Sequence, residues 1–450
     1  MTATQKILEL NAFDMDDTGC LDPATAALVA RRKRAFGPTS MLFYERPLNL
    51  VRGEGVWLMD ADGSRYLDAY NNVPSVGHCH PRVVEAVSRQ MATLNTHSRY
   101  LTDIVYTYSE RLLATYPKAL SNIVYTCTGS EGVDLALRIA RAVTGGEGLI
   151  ATANAYHGNT TAVTEVSPSS ATTQARSANV FLVAAPDTYR LGPAEAVAKF
   201  NAEVRAAIAD MQTRGIRLAA FIADSILSSD GVFPAVPGYL KETANIVRAA
   251  GGLYIADEVQ PGFGRTGEAM WCFLRHDLTP DLAVMGKPMG NGYPIGGVAV
   301  KPDLLEVFGS RNGYFNTFGG NPVAAAAGLA VLETIEAEYL QENARSTGAY
   351  LAEQLAVLGR RHQAIGDVRN AVLYVGVEIV TDQESREPDK EATTVVVNGM
   401  RERNVLIGTA GKYGNVLKIR PPLCFSRDNA DMLAAALSDA LAAHEDRKRR

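Results

Sequence analysis

Cysteine is scarce in this chain: Cys20, Cys79, Cys127, Cys272 and Cys424 include no CxxC pair and no regular framework, which excludes a disulfide scaffold. Reduced, buried thiols in a cytoplasmic protein are expected instead. No run approaches the ~20 apolar residues of a membrane span, and Met1–Leu10 has a lysine and a glutamate but no apolar core, so neither membrane contact nor a secretory leader is expected. Surplus positive charge is absent too. A net charge of −5 gives no footprint for nucleic acid, so any anionic ligand must meet a local basic pocket. No GxGxxG follows a strand near the start, which disfavours a nucleotide-binding dehydrogenase. There is no internal repeat, and no metal is expected. What is present is 450 residues, 47% hydrophobic and 21% charged, enough to bury a large core in more than one domain and to act on a small molecule.

Residues 1–48 read as a leading arm, with a helical stretch opened by Pro23 and the basic cluster Arg31-Arg32-Lys33-Arg34 as a solvated face or subunit contact. Asp62-Gly63, between apolar residues at 56–58 and 66–67, predicts a tight hairpin turn. From about residue 81, where Val84, Val87, Met91 and Leu94 recur at helical spacing, helices alternate with short apolar runs. The candidate strands are Ile123–Cys127, Leu149–Ala153, Ala219–Asp224, Leu253–Val259, Leu282–Met285 and Gly297–Val300, the pattern of a mostly parallel sheet covered on both faces. After Pro322 an Ala-rich helix leads to strands near Val372–Val380 and Val416–Ile419. The expected division is an N-terminal segment 1–80 that joins the small domain, a large domain 81–330, and a small α+β domain 331–450.

In open α/β sheets ligands sit beyond the carboxyl ends of the strands, so polar residues that end apolar runs are the candidates. Thr128-Gly129-Ser130-Glu131 opens a helix with capping-box spacing, and its glycine lets backbone N–H groups approach an anion; an ordinary capped helix is the blander reading. Tyr156-His157-Gly158 follows a strand, where an aromatic can cover a flat cofactor or merely pack. Asp257-Glu258 ends another, and desolvated carboxylates need partners: a pyridinium N–H for Asp257, or a salt bridge to Arg265. Lys287 leaves an apolar strand into a loop too glycine-rich to be a helix. An amine drawn into an apolar cleft has its charged form disfavoured, as imine formation near neutral pH requires.

Taken together, the phosphate cup, Tyr156-His157-Gly158, Asp257-Glu258-Val259-Gln260, Lys287 and Thr317-Phe318-Gly319-Gly320-Asn321-Pro322 resemble the class III aminotransferase family, over about Leu48 to Phe425. The resemblance implies a pyridoxal 5′-phosphate (PLP) enzyme of fold type I: an α/β large domain with a mostly parallel seven-stranded sheet flanked by helices, plus a smaller α+β domain. It implies that Lys287 holds the cofactor as an imine and that Asp257 keeps the pyridine nitrogen protonated. Tyr156 and Val259 would face the two sides of the ring, Gln260 its oxygen, and Gly129 and Ser130 its phosphate, with His157 also in contact. Thr317 would come from the neighbouring subunit of a homodimer with shared active sites.

Within the family, stretches such as Tyr70-Asn71-Asn72-Val73, Pro186-Asp187-Thr188-Tyr189-Arg190 and Asn415 to Phe425 are more similar to phospho-lyases acting on ethanolamine phosphate than to ordinary transaminases. Many of those transaminases place an arginine where this chain has Lys418, whose point charge suits phosphate as well as carboxylate. The expected reaction is elimination of phosphate from O-phosphoethanolamine or a related phosphorylated amine, giving an aldehyde, ammonia and phosphate. The alternative is an omega-aminotransferase. Lys418, Arg420 and Arg99 are the candidates for the substrate phosphate; solvent exposure is the bland reading for Lys418, and structural ion pairs for the other two. Asp224-Ser225 stands where the family commonly has glutamate and proline, which puts in question the usual contact to the Gln260 region.

Overall fold

The computed structural model describes residues 10–19, 21–39, 41–170, 176–234 and 236–449. Its centre is a seven-stranded sheet whose order across the sheet is Asn122–Thr126, Gly296–Val300, Leu282–Met285, Leu253–Asp257, Leu218–Asp224, Gly148–Thr152 and Val180–Val183. Only Gly296–Val300 runs antiparallel to its neighbours. Four of these strands are buried along their whole length, which is why they read as unbroken apolar runs rather than alternating ones. Val180–Val183 escapes that pattern because it is a four-residue edge strand, three of whose residues are only half-buried.

The helix Gly129–Thr144 packs Val133, Leu137 and Ala140 onto the sheet, and Gly132 lets it approach so closely that a Cβ there would sit 2.9 Å from Val284 Cγ1. The strand expected to reach Val259 ends at Asp257, because the Val259 N–H donates 3.0 Å to the Asp257 carboxylate and turns the chain. The helix Pro81–Thr93 forms as expected, but it buries Val83 and leaves Val84 and Met91 on its exposed side, with Leu94 just beyond. The helix at Pro23 continues to Phe36, carrying the basic cluster in its last turns, where the helix dipole favours cations.

A second sheet pairs Ile365–Asn370, Val375–Ile379, Val416–Ile419 and Gly408–Ala410, all antiparallel. A third joins Leu50–Glu54, Trp57–Asp60 and Arg65–Asp68 to Val405–Leu406, so the early chain is stitched to the C-terminal region; Asp62-Gly63 lies in the turn between Trp57–Asp60 and Arg65–Asp68, with Gly63 at φ 90°. Among the described cysteines only Cys272 is buried; Cys79 is exposed, and Cys127 and Cys424 are half-buried, each in a connecting segment rather than in a strand or helix core. Cys20 and residues 1–9 lie outside the described residues. Among the described residues no helix is long and apolar enough to cross a membrane.

Candidate active site

Register brings the candidate residues to one edge of the central sheet. Asp224 pairs with Asp257, and Asp257 with Val284, so two carboxylates and the turn that carries Lys287 leave adjacent strands at the same level. Lys287 begins a single 3-10 turn, Lys287–Gly290, rather than the irregular loop expected, because Pro288 fits the start of a helical turn. Its φ is 30°, a left-handed conformation that L-residues rarely adopt and that concentrates at functional positions. Among the described residues its amine has neither hydrogen bond nor ion pair. Burial pushes the Lys287 pKa down to about 8; Asp257 pulls the other way, and Arg420 adds to the depression.

Asp257 is 5% exposed, and both its oxygens are engaged: Oδ2 lies 2.6 Å from His157 Nδ1, and Oδ1 accepts the Val259 N–H. The salt bridge to Arg265 does not form; that guanidinium donates to the Pro421 carbonyl instead. His157 is held in turn by its backbone N–H, which donates to Ser167 Oγ at 2.9 Å, and its Nε2 is buried without a partner among the described residues. At the head of the Gly129–Thr144 helix, Thr128 Oγ1 caps the Glu131 N–H at 3.1 Å, while Glu131 reaches back to the Cys127 N–H at 2.7 Å. The first N–H groups of a helix have no acceptor within it, so those of Gly129 and Ser130 stay open toward an anion. Glycines keep this cup clear. A Cβ on Gly158 would overlap Ser130 Oγ, and one on Gly129 would lie 2.9 Å from Val259 Cγ2. Tyr156 is half-buried beside His157, and burial raises its phenol pKa.

Gln260 is buried in a network that spacing alone did not reveal. Its amide donates 2.8 Å to Ser228 Oγ, and its oxygen accepts from Tyr374 Oη at 3.0 Å and from Arg420. Ser228 donates to Asp224, so the shorter carboxylate still reaches Gln260 through one hydroxyl. Arg420 also donates 3.2 Å to Asn72 and lies over the Tyr70 ring at 4.6 Å, with its Nε buried and unpartnered among the described residues. Lys418 does not face solvent: it is 3% exposed and, among the described residues, forms no ion pair. Two candidates are not brought to this pocket within one chain. Arg99 lies on the exposed Phe315 ring at 4.0 Å, and Thr317 is exposed between Phe315 and Phe318. The ion pairs expected as the bland roles of Arg99 and Arg420 are not among those described.

Glu258 is the other partner of the acidic pair. Fully buried, it accepts the N–H groups of Cys272 at 2.7 Å and Phe273 at 3.1 Å and the Ser225 hydroxyl, and among the described residues it forms no ion pair. Burial therefore pushes its pKa up to about 8. The folded protein keeps a proton that the unfolded chain has released, so stability declines as pH rises from 4.5 to about 8. One such group sets a limiting slope of ~1.4 kcal/mol per pH unit. Glu258→Gln removes the titrating group and is expected to flatten that decline in urea melts across the window, at a lower overall stability because its NH2 cannot accept the Cys272 N–H that Oε2 accepts; an unchanged slope would assign it to other groups.

Comparison with known proteins adds the following. Residues 43–441 match the family model described as aminotransferase class-III. An alanine–glyoxylate aminotransferase 2-like protein of Drosophila melanogaster is 41% identical over 425 residues, 92% of this chain and 86% of that protein. An ethanolamine-phosphate phospho-lyase homolog of Caenorhabditis elegans is 36% identical over 434 residues, 92% and 93% of the two chains. Among solved structures, a phospholyase from Arthrobacter in complex with phosphoethanolamine superposes with a TM-score of 0.90 at 44% identity, covering 92% of this chain and 99% of its own.

Proposed function

The chain belongs to the class-III aminotransferase family, a PLP-dependent family of fold type I, and from that premise we propose that it is a phospho-lyase releasing phosphate from O-phosphoethanolamine or a related phosphorylated amine. The pocket fits the cofactor. The open N–H groups of Gly129 and Ser130 would hold its phosphate, Asp257 its ring nitrogen, and the unpartnered amine of Lys287 its aldehyde carbon. Tyr156, Val259 and His157 would position the ring, and Gln260 would sit near its oxygen. When bound, PLP supplies an electron sink for charge developed on the substrate.

The protein's own residues do the rest. Lys287 Nζ, its pKa pulled toward neutrality by burial, takes the proton from the carbon bearing the substrate nitrogen. Asp257, fixed through His157 and the Val259 N–H, holds a proton on the ring nitrogen. The single observation that carries the lyase reading is the pair of buried basic side chains Lys418 and Arg420, neither opposed by a carboxylate within ion-pair distance among the described residues. A buried guanidinium beside a buried amine that can take up a proton matches a phosphate monoester, with a charge of about −1.5 to −2, better than a single carboxylate. The similarity to the phospho-lyase homolog and to the phosphoethanolamine-bound phospholyase supports the same reading.

The aminotransferase alternative is favoured by the name of the 41% identical relative, and it would use the same Lys287 and Asp257. Incubation with O-phosphoethanolamine and no keto acid separates the two. Sustained multi-turnover release of inorganic phosphate is expected, whereas a requirement for pyruvate or 2-oxoglutarate would establish the aminotransferase.

We further propose a homodimer with shared active sites. Leu101 at 91% and Phe318 at 69% exposure, with Leu94, Tyr100 and Phe315, leave large apolar side chains in water around Arg99 and Thr317, a surface suited to a second copy that would bring Thr317 to the neighbouring cup. A cytoplasmic location rests on the unpaired cysteines; two matched relatives carry the word mitochondrial in their names.

A further inference from the structure

We propose that Lys418 is the proton donor to the departing phosphate, its ammonium giving a proton to the ester oxygen as the carbon–oxygen bond breaks. The inference rests on the phospho-lyase reading and supplies a step that reading leaves open. When that bond breaks, its electron pair goes to oxygen, and a phosphate monoester dianion would leave as a trianion. A proton delivered at that moment turns the leaving group into hydrogen phosphate, the kind of transfer that contributes about 10²–10⁴-fold. The proton taken from carbon is a separate one, held on Lys287.

Few groups can donate it. Arg420 supports charge but does not release a proton. Tyr374 already gives its hydroxyl to Gln260, and burial pushes its pKa up to about 12. Lys418 differs from both. It lies on Val416–Ile419 opposite Gly376 and Gly408, residues without side chains to crowd or pair it. The residue is 3% exposed, its amine makes no hydrogen bond among the described residues, and a cavity of about 50 Å³ adjoins it, bounded by Phe43, Tyr70, Thr409 and Arg420. A buried amine with no partner is costly when charged.

The groups around Lys418 set its charge. Burial, Arg420 and Lys287 drive its pKa well below the ordinary lysine value; Asp224 and Asp230 oppose them, and the Tyr374 ring stands 5.9 Å away. An arriving dianion reverses this balance, because an opposite charge nearby favours the ammonium form. Substrate binding thus draws a proton onto Lys418, and elimination passes it to phosphate. Each turnover returns the amine to its neutral form.

The test uses the holoenzyme and Lys418→Arg, which keeps the positive charge but cannot release a proton. Hydrogen–deuterium exchange at the carbon bearing nitrogen, the Lys287 step, is expected to continue within a few-fold, while phosphate release falls by about 10²-fold or more. Independently, calorimetry of inorganic phosphate binding in two buffers of different ionisation enthalpy, at a pH where phosphate is the dianion, is expected to show uptake of about one proton by the unmutated enzyme and none by the variant. Unchanged phosphate release by Lys418→Arg would overturn the proposal, as would phosphate binding to the unmutated enzyme without proton uptake, a measurement that needs no variant to fold. Failure of the unmutated enzyme to release phosphate without a keto acid would instead overturn the lyase reading itself.

Discussion

Lys287→Ala is expected to lower turnover by ~10⁴-fold or more, because one amine serves both as the cofactor's covalent anchor and as the base at the substrate carbon. The structure offers a second buried amine, at Lys418, but that residue is on the C-terminal antiparallel sheet, while Lys287 leaves the central strand Leu282–Met285 next to Asp257. The substitution should leave the fold intact. It removes a buried amine that makes no hydrogen bond among the described residues, and the φ of 30° is as costly to alanine as to lysine, so the urea midpoint of the cofactor-free protein should stay level or rise. Steady-state assays beside urea melts check both statements. Activity within tenfold of the unmutated enzyme would show that another group carries the chemistry.

Asp257→Asn is the second large effect, an expected loss of ~10²–10⁴-fold, since an amide of the same shape cannot hold a proton on the ring nitrogen. This variant, unlike Lys287→Ala, should also be less stable. The two oxygens of Asp257 face different partners, Oδ2 the His157 Nδ1 and Oδ1 the Val259 N–H. An asparagine has one acceptor oxygen, so one of these buried contacts is lost, at a cost of about 1–3 kcal/mol. A lowered urea midpoint together with the catalytic loss is the expected pair of results. A variant with turnover within tenfold would remove Asp257 from the mechanism.

The strands that carry the site were legible because burial on both faces writes them as apolar runs, and because the residues that end them, Asp224, Asp257 and the Gly286-Lys287 pair, break those runs abruptly. The capped helix start was legible for a similar reason: its capping constraints are local and fall within Thr128–Glu131. Partners distant in the chain were not. Tyr374 meets Gln260 across 114 positions and Asn72 meets Arg420 across 348, and no spacing rule encodes either contact. Asp224 and Lys418 looked like unrelated departures from the family pattern; the fold sets them close enough for each to shift the other's charge, without an ion pair among those described. The exposure of the apolar side of Pro81–Thr93 was not legible for a different reason. Helical spacing identifies an apolar face but does not say whether the chain's own sheet or another surface covers it.

Reduction of the yellow holoenzyme with borohydride, followed by peptide mapping, tests the central assignment most directly, because two buried amines of depressed pKa stand in the same region. The cofactor's mass is expected to stay on the peptide containing Lys287 and to leave Lys418 unmodified. Label on Lys418, or no label on either, would contradict that assignment.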